Sequence, residues 1–157
     1  MTNALTHLDV LKKFRIVVRA AQRHSAWVEK QCGISGAQLW VMQEVHDAPG
    51  ARVGEIASKL AIHQTTMSNL LNGLVKHGYI VKNRDTQDQR AVKLELSEKG
   101  KALLEMAPKP SKGFLPEALL QMEASALQEL DRGLENLMQS MDLMDEEYGF
   151  QPLSFTM

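Results

Sequence analysis

Residues 53–96 constrain the fold more strongly than any other part of the chain. Their apolar spacing changes from a helical period to a strand period, and the polar loop 85–90 divides the strand part. Gly78 stands where the helical pattern ends. The predicted elements are two short helices and two strands: 53–60, 64–77, 79–84 and 91–96. This order predicts a helix pair followed directly by a β-hairpin.

The helix pair has the pattern of a helix-turn-helix. Two helices that cross at a steep angle over a tight turn need apolar side chains at the crossing. The stretch 53–74 supplies them at Ile56, Leu60, Ile62, Met67 and Leu70. Ala57 is small where the helices would come closest, and the residues between are short and polar. The second helix is therefore expected to project from the domain.

The second helix carries the candidate nucleic-acid contacts. Its leading side chains are short hydrogen-bonding groups, which read base edges in the major groove without clashing with the phosphates. They are His63, Gln64, Thr65, Thr66, Ser68 and Asn69. Gln64 and Asn69 suit bidentate contacts to adenine, and the hydroxyl groups suit phosphates or the thymine methyl. Lys76, near the end of the helix, would contact the DNA backbone.

The hairpin loop adds a second candidate contact. It places Arg84, Asp88 and Arg90 at an exposed tip directly after the second helix. A cationic side chain on a protruding hairpin can enter a narrow minor groove, where the potential is most negative. Asp88 precedes Arg90 by two positions, a spacing at which the carboxylate can orient the guanidinium.

Charge is distributed unevenly along the chain, although its total is −1. Residues 52–101 carry nine basic and five acidic side chains, a net charge of +4, whereas residues 102–157 carry three and ten, a net charge of −7. A basic central part with an acidic end is the asymmetry that a nucleic-acid-binding protein needs.

Helices are also predicted on both sides of this central unit. Thr6 with Asp9 and Ser35 with Gln38 have the spacing of capping boxes. The helices are expected near 7–32, 36–47, 98–107 and 117–141, with a proline-rich break at 108–116. The first and last helices carry broader apolar stripes than a small monomer can bury, so a homodimer is expected. No structure is assigned to residues 146–157.

A distinctive run, RDTQDQRAVKLELSEKG, extends from Arg84 to Gly100. This run resembles the wing signature of the MarR family of winged helix-turn-helix regulators. The matching positions are Asp88, Arg90, Leu94, Leu96, Ser97 and Gly100, together with Trp40 in the second helix and the turn at 49–50. The resemblance follows the order of elements over about 5–142 and is specific over 35–100.

The resemblance implies a homodimer that binds double-stranded DNA at a pseudo-palindromic operator, usually as a repressor released by a small effector or an oxidation signal. The single cysteine indicates a reducing cytoplasm. Two positions depart from the family pattern: Gln89 and Asn69 stand where basic residues are frequent. Both changes remove positive charge, so we expect weaker phosphate contacts and an altered base preference.

The resemblance also implies an effector pocket between the dimerisation helices and the winged domain. An arginine or histidine beside an indole suits an aromatic carboxylate. The candidates are Arg19, Arg23, His24, Trp27, Gln38 and Trp40, each of which also suits an ordinary core or surface role. Cys32, the only cysteine, cannot form an intramolecular disulfide and is expected to be a silent thiol in a reducing compartment.

These observations predict a mainly α fold with a small β-hairpin wing. The expected division is a winged helix-turn-helix domain at 35–100, a helical dimerisation region at 1–34 and 101–145, and a tail at 146–157. An enzyme, a metal site or a bound cofactor is not expected, because the chain lacks metal-ligand spacing, a glycine-rich phosphate loop and a nucleophile elbow. Neither a signal peptide nor a membrane span is expected. A winged-helix module that binds proteins instead of DNA remains the alternative.

Overall fold

A computed structural model describes residues 3–142 and 145–157. Residues 1–2 and 143–144, which fall in the predicted dimerisation region, lie outside the described residues. The chain is mainly helical with a small antiparallel sheet, which confirms the predicted fold class. The helices are α1 His7–Cys32, α2 Gly36–Asp47, α3 Val53–Leu60, α4 Gln64–Lys76, α5 Glu98–Met106, α6 Phe114–Gln121 and α7 Ala124–Ser140, and the strands are β1 Ala51–Arg52, β2 Ile80–Arg84 and β3 Val92–Leu96.

Local capping fixes the starts of α1 and α2. The Asp9 backbone N–H donates to Thr6 Oγ1 at 3.3 Å, and the Thr6 N–H donates to the Asp9 carboxylate at 2.9 Å. Ser35 and Gln38 make the equivalent pair of bonds at 3.2 and 2.9 Å. Gly33 ends α1 with φ +70°, a left-handed conformation that glycine adopts without steric cost. Both predicted capping boxes are confirmed.

The core lies between α2, α3, α4 and the sheet. Half of the residues of α2 are buried, and Ile80 and Leu94 close the core from the sheet side. The largest fully buried side chains include Leu39, Met42, Ile56, Met67, Leu71 and Leu74. Burying one such side chain stabilises the fold by roughly 1.5–3 kcal/mol. This core is completed within a single chain.

The sheet has the order β1-β3-β2, with both pairs antiparallel. Strand β2 pairs with β3 from Ile80 opposite Leu96 to Arg84 opposite Val92, which forms the predicted hairpin. Strand β1 is absent from the sequence-based prediction because two residues are too few to show a strand period. Through β1 the hairpin is attached to the residue that precedes α3.

A close approach of two chain segments fixes the start of α5. Ser97 Oγ accepts a hydrogen bond from the Gly100 N–H at 3.0 Å and so caps the helix. A Cβ at position 100 would collide with the Tyr79 carbonyl oxygen. Glycine at this position therefore allows α5 to pack on the segment that joins α4 to β2.

The C-terminal helical region differs from the prediction. The prediction of one helix from Glu117 to Met141 is wrong. The structure has two helices, α6 and α7, with extended backbone at Met122 and Glu123 between them. No proline or glycine marks this break. Helix α6 also begins before Pro116, which lies in its first turn, where a missing N–H removes no helical hydrogen bond.

Two helices leave apolar faces uncovered. Of the residues described in α7, none is buried, although the helix has an apolar stripe. The exposed apolar side chains of the two helices include Leu8, Leu11, Phe14, Val17 and Val18 of α1 and Leu127, Leu130, Leu134, Leu137 and Met138 of α7. Among the described helices, none is long and apolar enough to cross a membrane.

The segment 145–157, to which the sequence alone assigns no structure, folds back on the rest of the chain. It contains short 3₁₀ turns at Glu146–Phe150 and Ser154–Thr156. Ser25 Oγ of α1 donates to the Phe155 carbonyl at 2.8 Å. The His63 N–H donates to the Phe150 carbonyl at 3.1 Å. The segment therefore contacts both α1 and the start of α4.

Candidate nucleic-acid interface and an adjoining cavity

Helix α4 presents a polar face because its apolar residues are used for packing. Met67, Leu70 and Leu71 are buried, and the left-handed backbone of Ala61, with φ +54°, forms the tight turn from α3. The side chains on the opposite face are exposed at Gln64, Thr65, Ser68 and Asn69, whereas Thr66 is partly buried. Lys76 is exposed in the last turn. The structure thus brings most of the predicted base-reading residues onto one accessible surface.

Gln64 lies over the start of α3. Its Nε2 would be 2.9 Å from a Cβ built at position 54, so Gly54 leaves the space that the amide occupies. The side chain is exposed, and it lies at the first residue of α4. The amide can therefore still turn toward a ligand placed at the end of the helix.

His63 is the predicted contact whose surroundings differ most from expectation. It is the N-cap residue of α4, and its Nε2 lies 2.8 Å from Glu147 Oε2. Its ring also packs against the Phe150 ring, with centroids 5.0 Å apart. Both partners are separated from His63 by more than 80 residues in the sequence, so local sequence patterns contain no signal for these contacts.

The wing, which is the hairpin of β2 and β3 with the loop between them, carries exposed cations, and ion pairs hold its loop in place. Asp85 lies 3.7 Å from Arg52 and 3.8 Å from Lys93, which ties the loop to β1 and β3. A hydrogen bond from the Gln87 N–H lowers the pKa of the Asp85 carboxyl, and the two cations lower it further. Arg84 and Arg90 are exposed.

The geometry corrects the expected role of Asp88. Its carboxylate accepts a hydrogen bond from the Arg90 backbone N–H at 3.0 Å. In the described part of the chain no ion pair joins Asp88 to the Arg90 guanidinium. Asp88 therefore shapes the loop, because a short acidic side chain closes this turn by bonding to the amide two residues on. The Arg90 guanidinium is left available.

A cavity of about 640 Å³ lies beside this interface, between α1, α2, α6 and the segment 145–157. Two of the predicted effector-pocket residues, His24 and Trp40, line it. His24 Nε2 is 3.0 Å from the Pro110 carbonyl, so this nitrogen donates, while the buried Nδ1 has no partner within the described residues. Burial lowers the pKa of His24 below its ordinary value near 6.5, against the opposing effect of the Pro110 hydrogen bond.

The charged lining of the cavity was not among the sequence-predicted residues. Glu44, which is 7% exposed, accepts a hydrogen bond from Trp40 Nε1 at 3.1 Å. Lys112 lies 3.3 Å and Lys59 3.9 Å from the same carboxylate. Two ammonium groups thus flank one carboxylate. The available signal was Glu44 itself, an acidic residue between apolar positions of a buried helix.

The other effector candidates lie away from the cavity lining. Arg19 and Arg23 are exposed on α1, and Trp27 is half-exposed with its ring edge-on to His24, centroids 6.1 Å apart. Gln38 donates to the Leu70 carbonyl at 3.3 Å and so links α2 to α4. The structure therefore groups His24 and Trp40 but does not bring the remaining candidates to the same lining.

Cys32 is buried at the end of α1. Burial raises the pKa of its thiol above the ordinary value, with a smaller opposing effect from Lys109. A raised pKa keeps the group as the unreactive thiol. Within residues 3–142 and 145–157, no three His, Cys, Asp or Glu side chains are grouped as metal ligands.

Comparison with known proteins shows which family the chain is similar to. Residues 34–92 match the model of the MarR family. The chain is 31% identical over 75 residues to the HTH-type transcriptional repressor YetL of Bacillus subtilis (strain 168), a match that covers 46% of this chain and 45% of that protein. The chain spans about half to two thirds of the length of the curated relatives it matches.

Solved structures show the same fold over most of the chain. A MepR-like protein complexed with pseudoligands superposes with a TM-score of 0.59 at 19% identity, covering 87% of this chain and 97% of that one. FabT of Streptococcus pneumoniae, in complex with DNA, gives a TM-score of 0.54 at 20% identity, covering 87% and 98%. The winged helix-turn-helix fold and the match at residues 34–92 make this chain similar to the MarR family.

Proposed function

We propose that this chain is a sequence-specific, double-stranded-DNA-binding transcriptional regulator that acts as a homodimer in the cytoplasm. The observation that carries the proposal is the exposed polar face at the start of α4, beside a wing with two exposed arginines. Supporting it, YetL is named a transcriptional repressor, and the similar FabT structure contains DNA. On this basis we further propose that the chain is a repressor.

The α4 face has the chemistry of major-groove readout. Gln64 and Asn69 offer amides that pair bidentately with adenine, and Thr65 and Ser68 offer hydroxyls for phosphates or base edges. Thr66 is less exposed, so we assign it a supporting contact. His63 and Lys76 mark the two ends of the helix, where contacts to the DNA backbone set its register.

The wing supplies the second contact. Arg90 is exposed, and Asp88 bonds to its backbone and leaves the guanidinium available. Such an arginine lies well in a narrow minor groove beside the major groove that α4 enters. Arg84 at the end of β2 would then contact a phosphate.

The uncovered faces of α1 and α7 support a homodimer. An apolar stripe without a buried residue, such as that of α7, gains stability when a second copy covers it. A two-fold arrangement of these helices would place two α4 helices one DNA turn apart, roughly 34 Å. The operator is then pseudo-palindromic.

The cavity supports a small anionic effector with an apolar body, such as an aromatic carboxylate. Its lining is mainly apolar, and Lys59 and Lys112 together exceed the charge of Glu44. The free His24 Nδ1 accepts a hydrogen bond from a ligand hydroxyl. We propose that such a ligand releases the protein from DNA. The pair 4-hydroxybenzoate and 4-hydroxybenzyl alcohol, added to the DNA complex, compares the anion with a neutral aromatic of similar size that keeps the same ring hydroxyl.

Selection of duplexes from a random DNA pool at near-physiological salt tests the DNA-binding proposal. We expect enrichment of an inverted repeat whose half-sites are one helical turn apart. Weak binding without enrichment would contradict sequence-specific DNA binding and favour a protein-interaction module, for which steep salt dependence is not expected.

Variants then locate the interface on the selected duplex. Arg90→Ala should weaken binding about tenfold, or about 1.4 kcal/mol, for every sequence in the pool. Gln64→Ala and Asn69→Ala should change which bases are preferred in each half-site. Arg132→Ala is the matched control, because Arg132 is exposed on the polar side of α7, away from its apolar stripe. If Arg90→Ala and Arg132→Ala bind alike, the wing is not part of the interface.

A further inference from the structure

The segment 145–157 contacts two places that the proposed function uses. Its first half lies against His63, the N-cap residue of α4. Its second half lines the cavity through Gln151, Pro152, Leu153, Phe155 and Thr156. The two contact sets adjoin at Phe150 and Gln151, so a movement of one half is transmitted to the other.

At the start of α4 the segment occupies groups that a phosphate would use. The His63 N–H donates to the Phe150 carbonyl at 3.1 Å, and the Glu147 carboxylate lies 2.8 Å from His63 Nε2. The N-terminal end of a helix carries a partial positive charge and free N–H groups, which favour an anion. Glu147 therefore supplies, from within the chain, the negative charge that a DNA phosphate would bring.

The backbone of Glu147 is held in place by its own turn. Asp145 caps this turn by accepting a hydrogen bond from the Glu147 N–H at 3.1 Å. The Phe150 ring packs on the His63 ring with centroids 5.0 Å apart, so an apolar contact accompanies the charged one. Met157, at the other end of the segment, lines a surface groove together with Thr66 and Asn69 of α4.

At the cavity the segment is anchored by a specific hydrogen bond. Ser25, which is buried on α1, donates through Oγ to the Phe155 carbonyl at 2.8 Å. A Cβ at position 36 would be 3.6 Å from Thr156, so Gly36 leaves room for this close packing. The anchor holds the segment across the face between α1 and α4.

We infer that residues 145–157 form an autoinhibitory strap that competes with DNA for the start of α4 at His63. The inference rests on the proposed function. With the strap in place, the N-terminal end of α4 is occupied by Glu147 and Phe150. DNA binds fully only to the fraction of molecules in which the strap is lifted, and the apparent affinity is reduced by that fraction.

Two double variants of the full chain separate the strap contact from a general effect of charge. Glu147→Gln with Phe150→Ala removes the charge and the ring that contact the His63 side chain, and it leaves only the backbone hydrogen bond from the His63 N–H to residue 150. Glu146→Gln with Tyr148→Ala removes the same charge and an exposed aromatic ring from the same turn, and Tyr148 is 70% exposed. The first pair should bind the selected duplex roughly fivefold more tightly than the parent, and the second less than twofold.

Hydrogen exchange at the start of α4 reports the strap itself, without DNA. We expect faster exchange of the His63 amide in the Glu147→Gln, Phe150→Ala protein and parent-like exchange in the control. Faster exchange with parent-like DNA affinity would overturn the inference and leave the proposed function standing. Equal exchange in the two double variants would also overturn it. If the parent and every variant fail to select DNA, the proposed function fails and the inference falls with it.

Discussion

The winged domain and the helices at the chain ends differ in how far their apolar side chains are buried. In the winged domain, α2, α3, α4 and the sheet enclose side chains such as Leu39, Met67 and Leu94 completely. In α7, the apolar residues Leu130 and Leu134 each remain 38% exposed. The apolar side chains of the first region are buried within one chain, whereas those of the second are buried only if another molecule covers them.

Under the proposed homodimer, this difference separates a part of the chain that defines its own structure from a part whose stability would depend on protein concentration. A core that is closed within one chain contributes the same stability at any protein concentration. An apolar face covered by a second copy contributes stability only as mass action allows. Substitutions in the two regions should therefore have effects that differ in kind as well as in size.

The largest effect is expected for Leu71→Ala in the core of the winged domain. Leu71 is 1% exposed, and its truncation leaves a cavity that the surrounding helices fill only in part. The free energy of unfolding should fall by roughly 2–5 kcal/mol. Urea unfolding followed by circular dichroism measures this loss, which should be the same at low and high protein concentration. A strongly concentration-dependent loss would mean that this core is not self-contained.

A smaller effect of a different kind is expected for Leu134→Glu on α7. A carboxylate in the centre of an apolar interface should weaken self-association about thirtyfold, or about 2 kcal/mol, while the winged domain stays folded. Sedimentation velocity across a concentration series measures the change, and circular dichroism verifies the fold. Asn136→Glu adds the same charge to the polar side of the helix as a control. Equal sedimentation of the two variants would mean that α7 does not form the interface.

The two regions also differ in how well the sequence predicted them. Capping hydrogen bonds between residues three positions apart predict two helix starts, at Thr6 and at Ser35 with Gln38. All of these hydrogen bonds are present. Strand β3 shows its alternation within five residues. Local hydrogen bonds and a local period are sufficient to predict such elements.

The failures lie where distant segments decide the structure. The break between α6 and α7 at Met122 carries no glycine or proline, and β1 exists only because β3 pairs with it. The cavity joins His24 to Lys112, and the strap joins His63 to Glu147, across most of the chain. The exposed face of α4 was predictable because all of its residues lie on a single helix. The contact that covers His63 was not predictable, because its partners lie far away in the sequence.

His24, which packs where the two regions meet, should make stability depend on pH. Burial lowers the pKa of His24 in the folded chain, so protonation favours the unfolded state, in which the pKa is near 6.5. Stability should therefore be highest above that value and decline as the pH falls from 7.5 to 5.5. The charged groups that line the same cavity are Glu44, Lys59 and Lys112.

Urea unfolding at the two pH values, with matched histidine variants, measures this dependence. His24→Gln should lose less stability on acidification than the parent does. His46→Gln, at an exposed position of α2, should lose as much as the parent. Parallel losses in all three proteins would show that another group is responsible for the acid sensitivity.

The smallest effect is expected at Cys32, where α1 joins the core of the winged domain. Its thiol is buried and its pKa is raised, so the nucleophilic thiolate is scarce and shielded in the folded chain. Alkylation by iodoacetamide should be at least about tenfold slower in the native protein than in urea, because it waits for local opening. Cys32→Ala should change the free energy of unfolding by about 1 kcal/mol or less and leave DNA affinity unaltered. A thiol packed as the structure shows reacts only when the end of α1 separates from the core of the winged domain. Fast alkylation of the native protein would therefore show that Cys32 lies outside that core.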